Sequence, residues 1–290
     1  MSQPAKWMAW ILAARPKTLT ISVAPVLAGT ALAWQEGGKF AALPMLAALL
    51  AAIFIQAGTN LHNDAADYEK GGDREGRIGP RRAVAQGWLS AKDVHRVAFT
   101  SFALAGVLGL YLAVIGGWPI ILVGALSLLC GYGYSGGPRP ISYTPLGELF
   151  VLFFFGLVAV GGSYWLQLHV LSAGALLTGV AIGSFASAVL MVNNYRDLEA
   201  DRAVSRKTLA VVLGRPFSRL VYAGLLLAPF PLSMLVSKGV GLVWLALPLA
   251  LILLRAFWRS APGEAFNRIL AGTAMAQLLY ALLFVIGVWL

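Results

Sequence analysis

The chain has 290 residues, 59% of them hydrophobic and only 12% charged, well under the roughly 25% charge of a soluble domain. Its formal net charge of +10 does not mark a nucleic-acid binder, because the basic residues sit between apolar runs and form no Arg/Lys face with interleaved aromatics. Cys130 is the only cysteine, which excludes a disulfide framework and a cysteine-based zinc site.

Residues 1–17 carry Trp7 and Trp10 beside Lys6, then Arg15-Pro16-Lys17 where a signal peptide would place small residues. This segment reads as a short helix lying at the membrane surface. Apolar runs of about twenty residues, the length that crosses a bilayer, then recur to the end of the chain. The expected architecture is all-α and polytopic, one domain over 1–290 with nine transmembrane helices around a central cavity. The spans fall at approximately 18–35, 44–66, 93–114, 118–135, 146–166, 171–192, 217–236, 240–257 and 267–288. Connections at Gly116-Gly117 and Gln167-Leu168-His169 are very short, whereas the loops at 67–92 and 196–216 are long and polar.

Counting Lys and Arg in alternate loops gives 20 on the side of the N-terminus and 2, Lys39 and Lys238, on the other. The positive-inside rule then places the N-terminus and both polar loops in the cytoplasm and the C-terminus outside. An odd number of spans is needed for that result. Spans 1–4 and 5–8 also form a weak repeat, each with an acidic motif and a basic loop after its second helix, leaving span 9 over. Such repeats often meet at a binding site.

Of twelve acidic residues, eight lie in two short windows: Asp64, Asp67, Glu69, Asp73 and Glu75, then Asp197, Glu199 and Asp201. Carboxylates at a membrane boundary are costly unless they are paired, metal-bound or hydrated. Helical spacing puts Asn60, Asp64 and Asp67 in one row, and Asn193, Asp197 and Asp201 in another. Two facing rows of hard oxygen ligands suit Mg2+, which combines one or two carboxylates with phosphate oxygens. Asn63 adds a further oxygen, and Asp73 supports the first motif as a metal ligand.

A diphosphate needs basic side chains beyond its metal ions. Arg77 and Lys207 stand next to the motifs, with Lys70, Arg74, Arg81, Arg82, Arg196, Arg202 and Arg206 nearby. Arg139 is the only basic residue of the fourth-to-fifth loop and lies near Tyr132 and Tyr134. Arg15 and Lys17 stand at the mouth of the first span. The expected diphosphate contacts are Lys207, Arg77, Arg139, Asn60, Asn63, Asn193, Arg81, Tyr134 and Arg15.

Other signals carry no chemistry. Gly133-Tyr134-Ser135-Gly136-Gly137 has the spacing of a nucleophile elbow but ends a membrane span instead of joining a strand to a helix. His62 points off the acidic face, and His95 and His169 read as isolated. No phosphate-cradling G-x-x-x-x-G-K-[ST] loop exists to drive transport with ATP.

Asn63-Asp64-x-x-Asp67 with Asp73 following, and Asp197-x-x-x-Asp201 with Lys207, resemble the two Asp-rich motifs of the UbiA superfamily of intramembrane aromatic prenyltransferases. Three segments look like the branch that prenylates 1,4-dihydroxy-2-naphthoate in menaquinone (vitamin K2) synthesis. They are Gly79-Pro80-Arg81-Arg82 through Gly87, Tyr134-Ser-Gly-Gly-Pro138-Arg139-Pro140, and Leu146-Gly147-Glu148 through Gly156. The resemblance implies Mg2+ dependence, a polyprenyl diphosphate donor, loss of CO2 and diphosphate, a demethylmenaquinol product, and residence in the lipid of the cell inner membrane. It implies catalytic roles for Asp64, Asp67, Asp197 and Asp201. The same chemistry on 4-hydroxybenzoate, a homogentisate or a tetrapyrrole alcohol is an alternative. A cation or metabolite transporter is a rival of another class, but both acidic clusters sit at one membrane face and not at the midplane where transporter sites lie.

Overall fold

A computed structural model describes residues 4–71, 78–79, 81–236 and 240–290. The described residues contain no strand. Helix α1 (Lys6–Ala14) buries Ala9 and Ala13 against a cluster with Leu61, Ala65, Ala83, Val84 and Leu89. It leaves Trp7, Ile11 and Leu12 exposed. That outward apolar stripe is what a surface helix needs to lie in a lipid interface. Arg15, in the left-handed region at φ 54°, turns the chain into α2 (Pro16–Gly37), which starts on a proline where the missing N–H costs nothing.

Helices α3 (Ala42–Glu69), α4 (Ala91–Gly116) and α5 (Trp118–Gly133) complete the first half. Ser90 caps α4 by accepting from the Asp93 N–H. The fifth span is continuous but not uniform: α6 (Gly147–Leu152) passes through a π turn (Phe153–Val158) into α7 (Ala159–Leu168). Helix α8 (Ala173–Arg196) follows, N-capped by Ser172, then the short α9 (Leu198–Ala203). The remaining spans are α10 (Leu209–Leu227) with α11 (Pro229–Ser233), a 3-10 turn (Val240–Ala246) with α12 (Leu247–Arg259), and α13 (Ala265–Trp289).

Eight of these helical rods are long and apolar enough to cross a membrane, and the 16-residue α5 makes a shorter ninth. The chain is a multi-pass membrane protein. The described residues of the two polar loops include helix. Helix α3 carries the first acidic motif to Glu69 before stopping, and the segment 196–216 holds α9 and the start of α10. Leu198 is buried and Thr208 caps α10 through the Val211 N–H, so one anchored face stabilises helices whose other face is polar. Gly214, at φ +71°, breaks α10 where the polar segment meets the apolar one.

Helix α8 is the axis of the bundle, 78% buried over its apolar window, and touches α2, α6, the π turn, α10, α11 and α13. Glycines permit its closest crossing. A Cβ on Gly156 would lie 2.3 Å from the Gly179 carbonyl oxygen and 2.9 Å from the Gly183 Cα. Small residues of this kind let helix backbones approach in lipid, where dispersion drives packing. The main core fills the second half and α2, around Phe185, Tyr195, Tyr222, Phe257 and Phe266. The first half is looser, and between it and α8 lies a cavity of about 770 Å³. Its walls include the side chains of Arg15, Asn63, Tyr134, Asn193 and Arg206 at one end, and Leu110, Ile121 and Leu166 farther along.

Candidate active site

Helices α3 and α8 end at the same mouth of the cavity, and their terminal polar residues build its polar end. The first row of acids does not act as one surface. Asn60 donates to the Ala14 carbonyl (2.9 Å) and Thr18 Oγ1 (3.3 Å), tying α3 to the start of α2. Asn63 accepts from an Arg15 guanidinium N–H (3.1 Å) and donates to Ser135 Oγ (2.6 Å). Asp64 is buried, and its two oxygens accept the backbone N–H groups of Ala83 and Val84, both at 3.1 Å. Asp67, also buried, accepts from Arg82 Nη2 at 2.6 Å.

The second row starts from Arg196, whose side chain is fully buried. It donates to both oxygens of Asp197 (2.8 and 2.6 Å), to Asn193 Oδ1 (2.8 Å) and to Asn267 Oδ1 (2.7 Å). Asp201 faces the other way. Arg206 Nη1 lies 3.7 Å from Asp201 Oδ1 and 3.8 Å from Asp67 Oδ2, so one guanidinium nitrogen joins the two motifs. Arg206 is held there by its Nε–H bond to the Ser142 carbonyl (2.9 Å) and by stacking 4.8 Å above the Tyr143 ring.

The local charges reinforce this arrangement. Burial alone would lower the Arg206 pKa, but the charges of Asp67 and Asp201 outweigh it and move it up, so the cation is permanent. Burial lowers Lys70, with Asp67 opposing the shift and Arg206 adding to it. Lys70 also donates to the Ser135 carbonyl at 2.6 Å, which fixes the turn that Asn63 contacts. Burial and Asp67 raise Tyr143, keeping its phenol protonated beside the acids.

Several expected contacts lie elsewhere. Arg139, Arg81 and Lys207 are exposed, and Lys207 contributes its backbone N–H to the Tyr143 carbonyl. In two of these cases the neighbouring residue occupies the site: Arg82 in place of Arg81, and Arg206 in place of Lys207. Arg77 and Asp73 lie outside the described residues. Tyr134, Arg15, Asn60, Asn63 and Asn193 all line the cavity.

His95 is not isolated. Its Nδ1 meets His62 Nδ1 at 3.2 Å, its Nε2 meets Glu69 Oε2 at 3.2 Å, and Tyr132 stacks on His62. This cluster braces α3 against α4 on the face away from the cavity. Glu148 is a further acid, outside the two acidic windows. It is buried at the start of α6 and accepts from Asn194 Nδ2 at 2.9 Å.

Among the described residues no three His, Cys, Asp or Glu side chains converge on one point. The donor set still fits a hard divalent ion: the groups shared between the motifs are carboxylate and amide oxygens, with no sulfur. The cation now between Asp67 and Asp201 is a guanidinium, which shows that the two acids hold positive charge jointly.

An all-α membrane bundle with two acid-ended helices at one mouth of an apolar cavity defines a class of intramembrane site. The chain belongs to the UbiA prenyltransferase family, whose model matches residues 22–269. It is 37% identical over 300 residues to the 1,4-dihydroxy-2-naphthoate octaprenyltransferase of Escherichia coli strain K12, covering 99% of this chain and 97% of that one. It is 36% identical to the protein of the same name from Mycobacterium tuberculosis, covering 96% of each. The mouse UbiA prenyltransferase domain-containing protein 1 is 30% identical, over 98% of this chain and 84% of that one. Among solved structures, a UbiA homolog from Archaeoglobus fulgidus bound to DMAPP and Mg2+ superposes with a TM-score of 0.69 over 97% of this chain, at 16% identity. That likeness is one of fold.

Proposed function

We propose that the protein transfers a polyprenyl group from its diphosphate to 1,4-dihydroxy-2-naphthoate, releasing CO2 and diphosphate and giving demethylmenaquinol. The observation that carries this reading is the joint hold of Arg206 on Asp67 and Asp201, at the polar end of a cavity whose remainder is mostly apolar. A diphosphate fits the polar end and an isoprenoid chain fits the rest. The names of the bacterial relatives support the acceptor.

Mg2+, when bound, supplies positive charge to the diphosphate as it leaves. Asp67 and Asp201 would hold it, with Asp64, Asp197, Asn63 and Asn193 at the margins of the same site. Arg206 and Arg15 add fixed cations where charge develops on the leaving oxygens. The donor C–O bond breaks with its electron pair going to the diphosphate. The apolar walls exclude water from the allylic cation. The ring carbon bearing the carboxylate attacks, and the carbon–carboxylate bond then returns its electron pair to the ring as CO2 departs, so no external base is required. The cavity mouth faces the cytoplasm in this reading, and the protein resides in the cell inner membrane with its C-terminus outside.

The test is to incubate purified protein with Mg2+, a polyprenyl diphosphate and a panel of aromatic acids. Prenylated, decarboxylated naphthoquinol is the expected product. A preference for 4-hydroxybenzoate or homogentisate would replace the acceptor, and absence of product with every acceptor would overturn the reading.

A further inference from the structure

Glu148 is the one acid of the fifth span, placed at the start of α6 in an otherwise apolar stretch. It is 4% exposed. Burying such a group is costly unless it is engaged, and its engagement is one-sided. Oε1 accepts from Asn194 Nδ2, while Oε2 is buried without a hydrogen-bond partner. Its backbone is pinned as well, because Ser187 Oγ donates to the Glu148 carbonyl at 2.6 Å. Ser187 and Asn194 are two turns apart on one face of α8, so α6 and α8 are clamped at two points around this carboxylate.

The bond settles which way Asn194 points. The Asn194 NH2 donates to Glu148 Oε1, so the amide oxygen takes the opposite direction. Asn194 lines the cavity, and its Oδ1 has no protein partner there. Phe150 and Val151, two and three residues along α6 from Glu148, line the same wall. The cavity therefore presents a lone, oriented hydrogen-bond acceptor beside an aromatic surface. It stands apart from Asn193, whose oxygen is taken by Arg196.

We infer that Asn194 Oδ1 accepts a hydrogen bond from a ring hydroxyl of the aromatic acceptor, and that Glu148 is the positioning residue that locks the amide in this orientation. The inference rests on the proposed prenyl transfer and deepens it. The arginines of the mouth read negative charge, and this pair reads a phenolic O–H. A ring whose hydroxyl is missing or alkylated would leave the amide oxygen unpaired in a dry wall. Sites built to bond a hydroxyl reject such analogues strongly.

The experiment measures acceptor and donor KM for wild type, Glu148→Ala, Glu148→Gln and Asn194→Leu, with dihydroxynaphthoate and its two mono-O-methyl ethers. Wild type is expected to disfavour one ether by at least about 10-fold in kcat/KM. Glu148→Ala is expected to raise acceptor KM about 10-fold while donor KM stays within about 2-fold, and to lose the discrimination between hydroxyl and ether. Glu148→Gln keeps an oxygen that accepts from Asn194, so it should recover most of the discrimination. Asn194→Leu should match Glu148→Ala. Equal loss on both substrates, or discrimination intact in Glu148→Ala and Asn194→Leu, would overturn the inference. If Glu148→Ala does not fold, by thermal unfolding in detergent, Glu148→Gln and Asn194→Leu decide alone. Failure of wild type to prenylate any naphthoate would count against the proposed function itself, whereas an active wild type with unmoved discrimination counts only against this pair.

Discussion

Arg206 Nη1 lies 3.8 Å from Asp67 Oδ2, so a residue of the second polar segment carries the charge balance of the first acidic motif. The same nitrogen serves Asp201. A guanidinium in that position competes with a divalent ion for the same two carboxylates. Arg206→Ala is therefore expected to bind Mn2+ more tightly in the absence of donor, measured by electron paramagnetic resonance. It should also lose turnover by about 100-fold, the scale of removing one charge-stabilising donor. Weaker metal binding in the variant would refute the competition.

Asp64 and Asp201 should part company under mutation. Asp64 spends both oxygens on the Ala83 and Val84 N–H groups, which anchors the turn leading into α4. Asp64→Ala is expected to lower stability by roughly 2–4 kcal/mol as well as activity. Asp201→Asn keeps the side-chain shape and removes the charge, so activity should fall with the unfolding temperature nearly unchanged. Thermal unfolding in detergent beside a turnover assay separates the two.

The Gly156 crossing leaves no room for a methyl group. Gly156→Ala would set a Cβ against the Gly179 carbonyl and force α8 away from the π turn, at a cost of about 1–3 kcal/mol. A variant with wild-type unfolding temperature would show that the helices separate freely.

Cavity length is open to a similar test. Gly109 and Gly124 line the cavity, and an added Cβ at either meets nothing within 4 Å. Leucine at Gly124 would occupy tail space without disturbing packing. Gly124→Leu is expected to lower the rate with long polyprenyl donors at least about 10-fold while sparing dimethylallyl diphosphate, since the shorter donor leaves that space empty. Equal rates on both would place the tail elsewhere.

The positions of the acidic motifs were legible because carboxylates in an apolar chain have few reasons to exist. The span count and the helical reach of the first motif followed from hydropathy and spacing, whereas the expected row of Asn193, Asp197 and Asp201 is broken at Asp197 between α8 and α9. What a sequence does not display is which of two adjacent basic residues turns inward. Arg82 is buried and Arg206 half-buried while Arg81 and Lys207 are exposed, and that choice belongs to the turns before α4 and after α9. The division of labour within the first row was hidden for the same reason. Asp64 and Asp67 share a helical face, yet one meets a backbone turn and the other meets guanidinium groups that arrive from elsewhere. Glu148 had a visible signal, a charge inside an apolar run, but Asn194 had to be placed before that signal meant anything. The π turn has no pattern in Phe153-Phe154-Phe155-Gly156-Leu157-Val158, and the helices within 196–216 were masked by their polar outer faces.

Arg196 binds Asn193, Asp197 and Asn267, and Asn267 in turn donates to the Ile78 carbonyl at 3.2 Å. Asn267 belongs to α13, the span left over from the repeat. Helix α13 thereby closes a hydrogen-bond chain that runs from the second acidic motif through Arg196 and Asn267 to Ile78, which follows the first motif in the chain. The span outside the repeat is the one that ties the polar ends of its two halves together.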